Sequence, residues 1–423
     1  MIKREIIPSI LHWIGKEKIL ILKGARQVGK TTILKQIISN IQNTNKTAEI
    51  AYLQADDKKN SQIFSSTATL EEHLKRTYGF PAKFVYLFID EFQMIENAGL
   101  FLKNIFDTHR KKLQIIVSGS SSLEITKNTE FLTGRSINFN INRISFREYF
   151  NYENKSEISP IPLSNFDDIK MFYQTFSEKI NLHFKEYLAF GGYPEVITTL
   201  EHKDKEIILE SIVKTYIEKD IAGFLKVENI VGFNNLIRIL SSQIGNLINL
   251  SEISNTANLA RNTTEKYLSM LVGTYVFDIV TPYYKNVRSE LSKMPKVYAL
   301  DIGIRNYFNR TLNSDNRLNG SVVENFVYLH LLEQYKKDYI HFYRTIGGAE
   351  IDFILEGAEN KLTVAEVKYR QKTNTPVAIK NFSERYPESV SQKIILTKDV
   401  LEKKPDGTIF LPADLLPFVD ILN

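Results

Sequence analysis

The chain of 423 residues is 43% hydrophobic and 24% charged, an ordinary globular composition with room for about two to three domains. It has no cysteine, which excludes disulfides, thiolate catalysis and cysteine-bound zinc, and its seven histidines form no H-E-x-x-H pattern. A net charge of +5 permits nucleic-acid binding without requiring it, and the longest apolar runs (84–89, 115–117) are far too short to span a bilayer.

No secretory leader is visible, so a cytoplasmic protein without membrane contact is expected. In chain order, 6–14 reads as a helix with Trp13 in a core, and the apolar run 19–22 reads as a buried strand that stops at Gly24. Next comes Gly24-Ala25-Arg26-Gln27-Val28-Gly29-Lys30-Thr31, then Thr32 and a helix with apolar residues at 33, 34, 37 and 38. This is G-x-x-x-x-G-K-[ST] between a strand and a helix, the setting that motif needs. Glycines let the backbone wrap so that successive amides point inward, and the helix presents its positive end to the same place. A triphosphate would be cradled there, with Lys30 on its outer phosphates and the Thr31 hydroxyl on Mg²⁺.

Segment 50–53 reads as a second strand and 67–78 as a helix. The continuous apolar run 84–89 reads as a strand covered on both faces, and it ends in Asp90-Glu91. Parallel sheets bind ligands at such strand ends. Asp90 is expected to hold Mg²⁺ opposite Thr31, and Glu91 to act as general base toward the attacking water. Strand 113–117 leads into Ser118-Gly119-Ser120-Ser121-Ser122, where Ser118 or Ser120 would sense the γ-phosphate or hold the water. The same serines would also serve as a cap for the next helix. Arg135, with Arg143 and Arg147 behind it, is the candidate arginine finger or sensor, from its own subunit or from a neighbour in a homo-oligomer.

With Asp90-Glu91, Ser118-Gly119-Ser120 and Gly134-Arg135, the 24–31 loop resembles the AAA-type P-loop ATPases of a large prokaryotic class, as do 144–149 (ISFREY), 190–195 (FGGYPE) and 219–221 (KDI). That resemblance covers nearly the whole chain and implies ATP and Mg²⁺ as ligands, with the helical block after the nucleotide core acting as a lid. The expected architecture is α/β: a P-loop domain with a parallel sheet over 1–150, a helical lid or linker over 151–230, a winged helix-turn-helix over 231–312 and an α/β module over 313–423. Segment 152–168, with Pro160 and Pro162, reads as an exposed loop.

Three short helices from 234 onward and strands at 276–284 and 296–300, with Lys285 and Arg288 between them, read as the winged helix. Arg261, Asn262, Thr263, Thr264 and Lys266 fall where a recognition helix meets a groove, although winged helices in ATPases more often serve as interdomain packing modules. The last module reads as αβββαβ, with a helix over 322–335, strands at 339–344, 350–355 and 362–369, a helix at 377–386 and a strand at 393–397. Glu366 and Lys368 share one strand face, where Asp352 on the paired strand can meet them. This resembles the restriction-endonuclease-like, PD-(D/E)XK, nucleases, with Ile351 in place of the motif's proline. The resemblance implies Asp352, Glu366 and Glu324 as metal ligands and Lys368 at the attacking water.

Two functions are therefore expected. One is an ATP-hydrolysing machine acting on DNA or RNA through the two C-terminal modules. The alternative is a nucleotide-switched regulatory or scaffold ATPase whose nuclease-like domain is inactive.

Overall fold

The computed structural model describes residues 2–120, 130–216, 227–283, 294–312, 319–345, 347–370 and 374–421. Two compact units emerge, Ile2–Ile144 with Gly273–Tyr275, and Ser145–Val272 with Val276–Asn423.

The first unit is built on a five-stranded sheet in the order β2-β3-β4-β1-β5. Its strands are β1 (Ile19–Lys23), β2 (Glu49–Gln54), β3 (Val85–Asp90), β4 (Leu113–Gly119) and β5 (Ser136–Asn140). Every pairing is parallel, so all five strands end on one edge. The central strands β1 and β4 are apolar on both faces because helices cover both faces. Those helices are α1 (Ile7–Leu11), α2 (Lys30–Thr44), α3 (Thr67–Tyr78) and α4 (Ala98–His109). Ile21, Ile89, Leu102, Ile105 and Val117 close the core on one side. Edge strand β5 carries exposed Asn138 and Asn140, so it has no apolar run to announce it. Trp13 lies half-buried with Lys16 over its ring rather than in the core, because its helix ends at Leu11.

The second unit opens with α5 (Phe146–Asn154), started by a reciprocal cap in which Ser145 accepts from the Glu148 amide (3.1 Å) and Glu148 accepts from the Ser145 amide (3.0 Å). The segment expected as an exposed loop is instead pinned. Its β6 (Ile161–Pro162) pairs in parallel with Val419–Asp420 near the C-terminus, and Leu163 and Phe166 are buried beside it. Helices α6 (Phe166–Phe190), α7 (Pro194–Thr198), α8 (His202–Ile212), α9 (Ile230–Ser242), α10 (Leu250–Ala257) and α11 (Arg261–Gly273) come after it. A two-stranded antiparallel ribbon, β7 (Phe277–Val280) with β8 (Lys296–Ala299), leads to α12 (Ile302–Phe308).

The C-terminal part has α13 (Gly320–Gln334), β9 (Ile340–Arg344), β10 (Glu350–Glu356), β11 (Leu362–Val367), α14 (Val377–Arg385) and β12 (Val390–Thr397). Strands β13 (Glu402–Lys403) and β14 (Thr408–Pro412) extend it to six strands, in the order β13-β14-β12-β11-β10-β9. Strands β9, β10 and β11 form an antiparallel meander, and β12 then lies parallel to β11.

Two contact sets hold this unit together. Phe146 packs edge-on to Phe184, Tyr187, Phe326 and Phe418 with ring centroids 5.6–6.0 Å apart, joining α5, α6, α13 and the C-terminal segment. The Gly191-Gly192 turn is gripped by Asp301, which accepts from the Gly192 amide (2.9 Å) and caps α12 through the Ile304 amide (2.8 Å). Gly191 has φ +76°, and a Cβ there would lie 2.5 Å from the Asp301 carboxylate, so this position requires glycine. The Asn306 amide then caps the end of α6 through the carbonyls of Leu188 and Ala189.

Phe146→Ala should cost about 3–5 kcal/mol in chemical denaturation, because it empties a site shared by four elements. A loss below about 1 kcal/mol would show that this aromatic group is not the hub.

Candidate functional site

The loop after β1 is shaped by two separate demands. Gly24 meets a steric one: the chain leaving β5 donates from the Ile141 amide to the Lys23 carbonyl (2.6 Å), and a Cβ on Gly24 would sit 2.2 Å from the Ile141 oxygen. Gln27 (φ 62°) and Gly29 (φ 92°) meet a conformational one, since left-handed residues curl a loop into an amide-lined cup. Arg4 braces the cup from behind, donating to the carbonyls of Val28 (3.0 Å) and Asn142 (2.7 Å). Ala25 and Val28 are buried, whereas Arg26, Gln27 and Thr32 face solvent.

Lys30 is buried, and its ammonium donates to the carbonyls of Gly24 (3.1 Å) and Ala25 (2.8 Å). Burial first, and then the positive charges of Arg26 and Arg143, lower its pKa to about 8 against the opposing pull of Glu91 and Asp90. Asp90, 2% exposed, collects three hydroxyl donors: Thr31 (2.6 Å), Tyr52 (3.0 Å) and Ser118. Burial, and then the Asp90 charge, push the Tyr52 phenol up, which keeps it a donor. Glu91, at φ 54°, accepts from the Gln93 amide (2.5 Å) and the Ser120 hydroxyl (3.0 Å).

Lys30, Thr31, Asp90, Glu91, Ser118 and Ser120 therefore meet at one sheet edge. Ser121 and Ser122 lie outside the described residues. Arg4, Tyr52 and Gln93 join the site without any motif to mark them.

This donor set fits a triphosphate with Mg²⁺. A buried ammonium met by neutral carbonyls gains from an anion, and a hydroxyl beside a carboxylate suits an octahedral oxygen-ligated ion.

Arg135 does not join this site within its own chain. It precedes β5 and accepts from the Ile19 amide (2.9 Å) at the start of β1, the sheet edge opposite the loop, and it pairs with Asp107 (2.7 Å). Arg143 comes after β5 on the loop's edge and donates to the Tyr275 carbonyl (2.7 Å). Arg147 belongs to the second unit, where it donates to the Pro417 carbonyl (2.7 Å).

The second constellation also assembles, but around a group absent from the expected set. Lys296 of β8, 1% exposed, reaches carboxylate oxygens of Glu350 (2.6 Å), Glu324 (3.0 Å) and Asp352 (3.3 Å). Tyr298, stacked on Tyr328, donates to Glu324 (2.7 Å). Asp352 accepts from the Val367 amide (2.9 Å), Glu366 accepts from the Asp352 amide (3.1 Å), and Lys368 pairs with Glu366. Burial and then the Asp352 charge push both Glu324 and Glu366 up. Burial alone would lower the Lys296 ammonium, but the charges of Glu324, Asp352 and Glu350 outweigh it and push it up. Of the expected ligands Glu324, Asp352 and Glu366, Lys296 reaches the first two, with Glu350 as its third partner, while Glu366 pairs with Lys368. Among the described residues no three His, Asp or Glu side chains are arranged to hold a metal ion.

On the expected recognition helix, Arg261, Asn262 and Lys266 are exposed, and Arg261 pairs with Glu265 (3.2 Å). Thr264 is buried and donates to the Ala260 carbonyl (3.2 Å), so it is removed from any groove. Residues 219–221, Lys285 and Arg288 lie outside the described residues. No described helix is long and apolar enough to cross a membrane.

Three family comparisons match the chain. Residues 16–150 match an AAA domain, 181–315 a domain of unknown function (DUF8612) and 319–416 another (DUF4143). The chain is similar to an uncharacterized protein of Haemophilus influenzae, 25% identical over 388 residues that cover 89% of this chain and 88% of that one. It is also similar to the uncharacterized protein MJ1544 of Methanocaldococcus jannaschii, 25% identical over 395 residues, 90% of this chain and 82% of that one. Among solved structures, domain III of the Thermotoga maritima replication initiation protein DnaA overlaps 49% of this chain and 82% of its own, at 13% identity and TM-score 0.28. The Pif1 helicase of Candida albicans overlaps 40% and 47%, at 14% identity and TM-score 0.26. The match over 16–150 supports an AAA-type ATPase in that part of the chain.

Proposed function

We propose that the chain binds ATP with Mg²⁺, hydrolyses it, and couples turnover to nucleic acid through residues 231–312 and 313–423. The observation that carries the ATPase reading is the meeting of Lys30, Thr31, Asp90 and Glu91 at the C-terminal edge of a parallel sheet. Lys30 would exchange its loop carbonyls for phosphate oxygens. Thr31 and Asp90 would hold Mg²⁺, which supplies charge neutralisation to the phosphates when bound. Glu91 takes the proton of the attacking water, held in place by Gln93 and Ser120. Ser118 fixes the Asp90 carboxylate. The three helices and ribbon of 230–299, with exposed Arg261, Asn262 and Lys266, support the nucleic-acid part.

A second reading has one observation in its favour. If ATP state controls assembly or a partner, the C-terminal module needs no chemistry of its own, and an ammonium among its carboxylates accords with that. Measuring ATP turnover with and without DNA and RNA separates the two: stimulation is expected of the first, none of the second.

Lys30→Ala should abolish ATP binding in a fluorescent-nucleotide titration, and normal binding would refute the cradle. Glu91→Gln should bind ATP while turnover falls by about 10²–10⁴-fold, and unchanged turnover would assign the base elsewhere. Because the Lys30 pKa of about 8 must rise beside a triphosphate, ATP affinity should fall as pH climbs above that value, with proton uptake on binding. Calorimetry in buffers of different ionisation enthalpy reads this uptake. Its absence in wild type would contradict the assignment.

A further inference from the structure

Glu324, Glu350 and Asp352 converge on one point of the C-terminal module, and the chain itself places an ammonium there. We propose that Lys296 is a built-in counter-ion standing in the position of a divalent metal, so that this cluster fastens the β7–β8 ribbon to the C-terminal sheet and does not hydrolyse phosphodiesters. This denies cleavage alone: it holds whether or not the C-terminal module binds nucleic acid, and it is independent of ATP turnover.

Three observations converge. An ammonium has three donors, and Lys296 has three carboxylates within reach, at 2.6, 3.0 and 3.3 Å, so its hydrogen-bonding capacity is filled. A small divalent ion needs those same oxygens at about 2.0–2.6 Å and would lie against the ammonium. The oxygens of Asp352 and Glu366 that Lys296 does not take are occupied too: the Val367 and Asp352 amides and Lys368 donate to them. A hydrolytic metal centre needs open coordination positions for substrate and water, and each oxygen of Asp352 and Glu366 already has a donor from the chain beside it.

The lysine is also structurally committed. It is the first residue of β8, paired with Val280 in the ribbon and bridged to Leu247, and its side chain is buried. Glu324 comes from α13, while Glu350 and Asp352 come from β10. One cation therefore joins three elements distant in sequence. Gly245 has φ +76°, and a Cβ there would stand 3.1 Å from the Glu324 carboxylate, so the chain leaving α9 closes over the same cluster.

The test uses the full-length, nucleotide-free protein and Mn²⁺ as probe, with bound ion counted by electron paramagnetic resonance. Any Mn²⁺ taken up by wild type should belong to the Thr31–Asp90 site, so Asp352→Asn should bind the same amount and neither protein should cut DNA or RNA with Mn²⁺ present. Lys296→Met should gain one Mn²⁺ per chain, lost again when Asp352→Asn is added. Mn²⁺ should also raise the thermal midpoint of Lys296→Met by more than that of wild type. A wild-type Mn²⁺ site or a cleavage activity that Asp352→Asn removes would overturn the proposal, as would a folded Lys296→Met that gains no ion. Should Lys296→Met not fold, the wild-type and Asp352→Asn comparison decides alone.

Discussion

A carboxylate carried below the surface must be met by donors from its own chain, since an unpaired buried charge costs several kcal/mol. Asp90, Asp301 and Asp352 are 2%, 3% and 8% exposed, and each meets this demand differently. Asp90 is answered by hydroxyls, neutral donors that a metal ion can displace or share. Asp301 is answered by backbone amides of a turn and a helix start, which cannot leave without unfolding either. Asp352 is answered by an amide and a lysine ammonium. The identity of the donor thus separates exchangeable hydroxyls at Asp90 from a backbone clasp at Asp301 and from an ion pair at Asp352.

The parallel sheet converts this local chemistry into a site. β1, β3 and β4 are neighbours, and parallel pairing brings the phosphate loop, Asp90-Glu91 and Ser118-Gly119-Ser120 to one edge. The same polarity places Arg135 on the other edge, because it precedes its strand, and Arg143 on the near edge, because it comes after it. An arginine's nearness in sequence to a motif is a poor guide when a strand intervenes.

Much of this is legible in the residues. The strand–loop–helix of 19–44, the acidic strand end at 90–91 and nearly every element of 320–397 emerge from apolar periodicity and turn residues, because long buried runs leave a strong signal. β5, β13 and β14 leave little trace: β5 and β13 expose polar side chains, and β14 is a short run after a Pro-Asp-Gly turn. Pinning of 161–162 depends on a strand some 250 residues away, which no local pattern reveals. Lys296 is hidden for a similar reason. It opens an apolar strand like any terminal lysine, and only tertiary packing delivers it to Asp352. The 144–149 and 190–195 segments hold structural joints, an aromatic hub with a helix cap and a clasped glycine turn, rather than reacting groups.

The proposed grip of the 24–31 loop on a triphosphate is what the other assignments depend on. Its most direct measurement is a crystal structure of the full chain with a non-hydrolysable ATP analogue and Mg²⁺. The Lys30 ammonium should then leave the carbonyls of Gly24 and Ala25 for phosphate oxygens, and Thr31 should turn from Asp90 to the metal. An analogue bound elsewhere, with Lys30 still on those carbonyls and Thr31 still on Asp90, would contradict it.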